Sequence, residues 1–339
     1  MATIAFVGCA HIHTPGFIKK VQQRPGIKVK SVWDHHAVRG QRRAAELGTH
    51  FVEDVRRVWE DGEIEAVVIC SETDRHEALV GAAARAKKHI FAEKPLGVGA
   101  KDSYAMAAEI EKAGVKFQTG YFQRGEPTNL WLREQIGKGT FGTITRVRGS
   151  NCHAGALGGW FDRQPEKPEA DWRWMADPKI ASVGAFGDLG THALDIMLWW
   201  LGDVEGGTAQ LDPVTARYEG CDEAGEGLFR FANGTIATLA AGWVDVADPV
   251  KYVISGTEGH ATVVREQLFV ACKKLNADGK QPWTVLPERK PAGFDAFLDA
   301  IEGKDATLVP AREAAYRSAV MEALYEGART GRWVEPQSG

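Results

Sequence analysis

The first 120 residues alternate short apolar runs with helical patterns, and this rhythm constrains the fold more than any other feature of the chain. Strands are expected at 4–7, 27–33, 66–70, 89–92 and 115–119, with helices at 14–23, from the residues after Asp34 to Leu47, at 74–86 and at 101–113. Thr14-Pro15 gives a hydroxyl cap and a proline in the first turn, and Pro25-Gly26 stops the first helix. Strand and helix in strict alternation require right-handed crossovers, and hence a doubly wound parallel sheet.

After Gly120 the rhythm changes. A helix near 129–136 gives way to glycine-rich strands at 143–149, 226–231, 235–242, 250–255 and 261–264, with a tight turn at Asn233-Gly234. Helices are expected at 189–201, 294–302 and 311–330. The fold class is therefore α/β. A Rossmann-type domain spans 1–120, and an α+β domain with a mostly antiparallel open sheet spans 121–339 for substrate binding and oligomerisation. With 339 residues the chain is long enough for both.

The formal charge of −4 and the lack of a basic run argue against nucleic acid, and no apolar stretch is long enough for a membrane span. Met1-Ala2-Thr3 leads straight into a strand rather than into a signal peptide. The five cysteines are scattered without CxxC spacing, so reduced thiols and a cytoplasmic location are expected.

The first strand-to-helix turn reads Gly8-Cys9-Ala10-His11-Ile12-His13. Its place suits a dinucleotide pyrophosphate at a helix N-terminus, although only Gly8 fits a GxGxxG fingerprint. Asp34 ends the next strand, where an acid accepts hydrogen bonds from ribose hydroxyls and repels a 2′-phosphate. NAD is therefore expected, with NADP possible because Arg39 and Arg42 follow. His35 lies beside Asp34 on this rim. For the histidine pairs at 11, 13, 35 and 36 no nearby acid or thiol completes a ligand set, and no metal is expected.

Two further motifs carry chemistry. Glu93-Lys94-Pro95 ends a strand of the parallel sheet, whose carboxyl ends line the ligand crevice. Asp188 and His192 are four apart on one helical face, so Asp188 can orient His192, and a histidine titrating near neutrality can act as a general base.

Residues 69–95, with Ile-Cys-Ser-Glu-Thr-Asp-Arg-His and then His-Ile-Phe-Ala-Glu-Lys-Pro, resemble the Gfo/Idh/MocA oxidoreductases. Asp188-x-Gly190-x-His192-x-x-Asp195 and Gly120-Tyr121-x-x-Arg124 are similar to two further elements of that family, and the resemblance covers nearly the whole chain. It implies catalytic roles for Lys94, Asp188 and His192. It places Ser71, Glu72, Thr73 and His76 at the nicotinamide ribose, with Glu93 and Lys94 at the ring and Trp172-Arg173 at the nicotinamide end. Gly8, Ala10, His11 and Ile12 would hold the phosphates. Lys94, Tyr121, Arg124, His153, Trp174, Asp188 and His192 are expected to contact substrate, whereas Asp195 is expected to be structural. Ser71-Glu72-Thr73 departs from the family's common Thr-Pro-Asn and adds a negative charge near the cofactor.

The implied activity is NAD-dependent oxidation of a secondary hydroxyl on a sugar, inositol or related polyol. The alternatives are redox-assisted glycoside cleavage on the same cofactor site, or a non-catalytic nucleotide-sensing regulator. Apolar residues on both faces of 226–242 suggest a homodimer or homotetramer. The substrate pocket is expected to depend on loops within 150–180.

Overall fold

In a computed structural model the chain is described over residues 1–162 and 172–339. Residues 163–171, part of the loop expected to shape the substrate pocket, lie outside that range. The first half runs β1 (Ala2–Cys9), α1 (Thr14–Gln22), β2 (Ile27–Trp33), α2 (Ala37–Glu46), β3 (His50–Phe51), α3 (Arg56–Glu60), β4 (Ala66–Cys70), α4 (His76–Arg85), β5 (His89–Ala92), α5 (Ala100–Ala113) and β6 (Phe117–Thr119). Its strands form a parallel sheet in the order β3-β2-β1-β4-β5-β6. β4 is fully buried and β1 nearly so, as expected for strands covered on both faces. The order reverses between β1 and β4, the switch point at whose carboxyl ends sheets of this kind bind their ligands.

The second half runs α6 (Pro127–Gly137), β7 (Ile144–Cys152), α7 (Pro178–Ala181), α8 (Ala185–Leu201), β8 (Val204–Asp212), β9 (Ala224–Phe231), β10 (Ile236–Gly242), β11 (Val250–Gly256), β12 (Gly259–Val264), β13 (Gln267–Cys272), β14 (Ala277–Pro282), α9 (Phe294–Ile301) and α10 (Ala311–Thr330). The sheet order is β14-β13-β12-β11-β7-β10-β9-β8, with the β7–β10 pair parallel and the other pairs antiparallel. α8 is apolar almost all round and lies between this sheet and α10, with nearly every residue buried. At Gly190 the helix comes so close that an added Cβ would stand 3.3 Å from Leu239 and 3.4 Å from Ala241.

The break at residue 120 is a boundary along the chain but not in space. Phe294, Phe297 and Leu298 of α9 join the core beneath β1 and β5, while Ala311, Ala314 and Ala315 of α10 join the core on the other face of that sheet. Farther along α10, Val320, Met321 and Leu324 belong to the core of the second sheet. The last two helices therefore tie the two sheets together.

The α1 cap also differs from expectation. Thr14 lies inside the helix, and His13 takes the N-cap position without a side-chain cap bond; the Thr14 amide donates to the His11 carbonyl at 3.0 Å and Pro15 has none, which leaves the Gly16 amide of the first turn for a ligand.

Candidate active site

The β1–α1 turn is fixed by Gly8. Its φ is +78°, and a Cβ there would lie 2.6 Å from that of Ser71. Only glycine allows the turn to press against the end of β4, where the His11 amide donates to the Cys70 carbonyl at 2.9 Å. Trp174 reaches over from the second domain and donates its indole N–H to the Ala10 carbonyl at 3.2 Å, with its ring 6.0 Å from that of His11. It was expected at the substrate; it instead roofs the turn. Trp172 is half-buried and Arg173 exposed on the same short segment. A pyrophosphate fits this cradle of backbone amides at the carboxyl end of a parallel sheet.

Asp34 departs from its expected role. It is buried, and Arg39 grips both of its oxygens at 2.8 Å. The amides of Cys9 and His36 donate to the same two oxygens, also at 2.8 Å. Asp34 thus pins the turn and the start of α2 rather than presenting a free carboxylate.

Glu93 was expected beside the nicotinamide; its own bonds draw two histidines of the first turn together. His13 Nδ1 lies 2.9 Å and His11 Nδ1 3.4 Å from Glu93 Oε1, and the Lys94 amide donates to Oε2 at 3.0 Å. The acid missing from the histidine pair in sequence thus arrives from eighty positions away, and the three groups lie within 4.8 Å of one another, close enough to hold a metal ion. Burial, only partly offset by Glu93, lowers the His11 pKa to about 3 and keeps that ring neutral.

Lys94, 3% exposed, donates to Asp188 Oδ1 at 2.6 Å and to the Asp188 carbonyl at 3.0 Å. Asp188 Oδ2 accepts from the Trp243 indole at 3.2 Å. Burial raises the Asp188 pKa, but the Lys94 ammonium more than offsets this and holds it at about 2. Asp188 was expected to orient or charge-couple His192: the ammonium takes the carboxylate in preference to a neutral imidazole, and Asp188 acts on His192 through charge. His192 Nδ1 is buried without a partner. Its ring stands 5.2 Å from Phe122 and edge-on to Tyr121. Burial, then the Lys94 charge, push its pKa well below 6.5 rather than leaving it near neutrality. Phe122, together with His13, Phe17 and Gly120, lines a cavity of about 300 Å³ that His192 itself does not line.

Other expected contacts divide. His153 follows β7, packs 4.8 Å from Trp160 and feels the Asp188 charge, but does not line that cavity. Tyr121 is buried, with its hydroxyl 3.0 Å from that of Thr191. Arg124 does not face this space: it pairs with Asp195 at 2.6 and 2.9 Å and with Glu313 at 2.9 Å. His76 is 1% exposed, with Nδ1 on the Leu96 carbonyl at 3.0 Å, and so fastens the loop after β5 rather than meeting a ribose. Ser71 and Thr73 are buried beneath the turn, and Ile12 and His35 are half-buried at its rim. Sequence reasoning missed Trp243, the residue after β10; its one signal is an indole at the strand end beside the helix that carries Asp188.

Comparison with known proteins gives this geometry its context. Residues 2–121 match the model of the oxidoreductase family with an NAD-binding Rossmann fold, and residues 129–262 match the GFO/IDH/MocA C-terminal domain. The chain belongs to the Gfo/Idh/MocA family. As a member it is an NAD(P)-dependent oxidoreductase. Among its relatives, 1,5-anhydro-D-fructose reductase of Ensifer adhaerens is 25% identical over 93% of this chain and 92% of its own length. The scyllo-inositol 2-dehydrogenase (NAD(+)) of Bacillus subtilis (strain 168) is 28% identical over 69% and 66%. A levoglucosan dehydrogenase solved with NADH and levoglucosan shares the fold at a TM-score of 0.81, with 21% identity over 99% of this chain and 100% of that one. Among the described residues no helix is long and apolar enough to cross a membrane.

Proposed function

We propose that this family member oxidises a secondary hydroxyl of a sugar, inositol or related polyol, with His192 as the proton acceptor. The supporting observation is the meeting of Lys94 and Asp188 from two domains beside an imidazole whose Nδ1 is unpartnered. When bound, NAD supplies the hydride acceptor. The depressed pKa keeps His192 neutral at pH 7, so its ring nitrogen is free to take the hydroxyl proton. Lys94 spends two hydrogen-bond contacts on Asp188 and retains donor capacity for the substrate oxygen as it becomes a carbonyl. Asp188 fixes that ammonium and offsets the charge arriving on His192. His153 and Trp160 form a half-exposed ring pair, suited to the apolar face of a sugar ring. The substrate classes of the named relatives, an inositol and anhydro sugars, support the same reading.

We place the nucleotide in 1–120 and the substrate in the remainder, with α9 and α10 shared. Leu228 and Ile236, 43% and 48% exposed on the open face of the second sheet, support a homodimer or homotetramer through that face.

The test is NADH and NADPH formation across inositols, aldoses, glycosides and sugar acids. Stoichiometric NADH with one substrate class is expected, and His192→Ala should lower turnover by about 10²–10⁴ while NADH binding survives. Unchanged turnover in that variant removes His192 from the role. Free sugar released without net NADH points to redox-assisted glycoside cleavage, and binding without turnover to a nucleotide-sensing regulator.

A further inference from the structure

Two acids rim the mouth of the first turn. Asp34 follows β2 and Glu72 follows β4, the two strands that flank β1. They are not equivalent. Asp34 has four donors on its two oxygens, which fills the acceptor capacity of a carboxylate. A ribose hydroxyl finds no acceptor there unless the latch that holds the turn breaks.

Glu72 is 7% exposed and half-engaged. Its Oε1 accepts from Arg39 Nη2 at 3.0 Å, whereas Oε2 is buried with no hydrogen bond at all. An unsatisfied buried carboxylate oxygen is costly, and such atoms in native sites call for an explanation. Two side chains cover it at ionic rather than hydrogen-bonding distance: His35 Nδ1 at 3.6 Å and Arg75 Nε at 3.7 Å. Both are partly exposed, at 29% and 44%, so either can swing aside toward solvent.

Resting on the reading that the crevice takes NAD, we propose that Glu72, expected at the nicotinamide ribose but tied through Arg39 to the end of β2, is in place of Asp34 the acid that recognises the adenosine ribose. A hydroxyl of the ribose donates to Oε2 as His35 and Arg75 move off it. Arg39 has a second part in the selection. It is the side chain placed to receive a 2′-phosphate, and Asp34 and Glu72 hold it between them. A 2′-phosphorylated nucleotide therefore meets the Glu72 carboxylate and an arginine already spent on two acids. The discrimination against NADP sits after β4, on a residue that stands where the family's common pattern has proline.

Direct titration of NADH and NADPH onto the whole protein, by ligand fluorescence and by calorimetry, tests this without relying on turnover. Glu72→Gln keeps an acceptor oxygen but not its charge; it is expected to weaken NADH by about tenfold and to tighten NADPH by removing the carboxylate that repels a 2′-phosphate, with Arg39 still held by Asp34. Glu72→Ala serves as the second variant and should shift the NADH/NADPH affinity ratio in the same direction. Asp34→Asn is expected to lower the unfolding temperature yet keep the preference for NADH. Loss of that preference in Asp34→Asn, with both Glu72 variants binding like the parent, overturns the assignment and returns the role to Asp34. Parent protein that binds neither nucleotide overturns the NAD reading itself. Parent protein that binds NADH as tightly as its Glu72 variants do overturns only this inference.

Discussion

Lys94→Met is the most informative single change, because it separates the electrostatics of the site from its packing. Methionine keeps the length and apolar stem of lysine and removes the charge. In the parent, Asp188 ionises at about 2 instead of its usual 3.8, a difference worth about 2 kcal/mol of stability. The sign is that of a depressed acid: the contribution is complete above 3.8 and disappears as pH falls through about 2. Without Lys94 the burial that the ammonium had overridden acts alone, and it raises the Asp188 pKa. The variant then loses the parent's contribution and also carries a buried charge whose one side-chain hydrogen bond among the described residues is from the Trp243 indole. Breaking a buried pair in this way costs roughly 3–5 kcal/mol. The deficit should be full at pH 7 and shrink in acid, as Asp188 protonates in the variant before it does in the parent. Adding Asp188→Asn to Lys94→Met should restore stability to within about 1 kcal/mol of the parent without restoring turnover. Urea unfolding of the four proteins of this cycle at pH 7 and pH 5, beside their NADH affinities, is the assay. A double variant no more stable than Lys94→Met, or a deficit independent of pH, refutes the account of Asp188 as a carboxylate held down by Lys94.

Three other outcomes follow from the geometry. Arg124→Met leaves the 1%-exposed Asp195 with Arg317 as its remaining ionic partner and should cost about 2–4 kcal/mol, while the KM for substrate stays at the parent value; a large rise in KM returns Arg124 to the substrate site. Stability should fall as pH drops below 6.5, because burial lowers the pKa of His11, His76 and His192 in the fold while they protonate near 6.5 when unfolded; for His11 the fall continues to about 3. The slope is about 1.4 kcal/mol per pH unit for each histidine, and an unfolding midpoint that is flat from pH 7 to pH 5 contradicts it. Gly8→Ala combines a φ of +78° with a Cβ placed 2.6 Å from Ser71, so the turn must shift; NADH binding should weaken about tenfold or more, as titration will show.

The strands at 27–33, 66–70 and 89–92 coincide with those of the structure because each is a dense apolar run bounded by turn residues. Elements without that signal were missed. β3 is two residues long, β8 carries two glycines, and β14 reads Ala-Asp-Gly-Lys-Gln-Pro; their strand state comes from their neighbours rather than from themselves. The site was legible as a set of residue types and less so as a set of pairings. Spacing put Asp188 and His192 on one helical face, but it could not show that an ammonium ninety-four positions away would claim the carboxylate first. The place of Asp34 at the end of β2 points to a ribose, but nothing in sequence order shows that the arginine five residues later consumes its carboxylate. In both cases the missing information was a competition between partners, which sequence order does not rank.

The docking of α9 beneath β1 and β5 bears on how the protein emerges from the ribosome. Phe294, Phe297 and Leu298 complete a core whose other buried members are made more than two hundred residues earlier. A nascent nucleotide-binding unit therefore waits with an uncovered apolar flank while the whole second sheet is translated. During that interval the growing chain is open to chaperone capture or to aggregation, and a fragment cut at residue 120 would keep that exposed flank permanently.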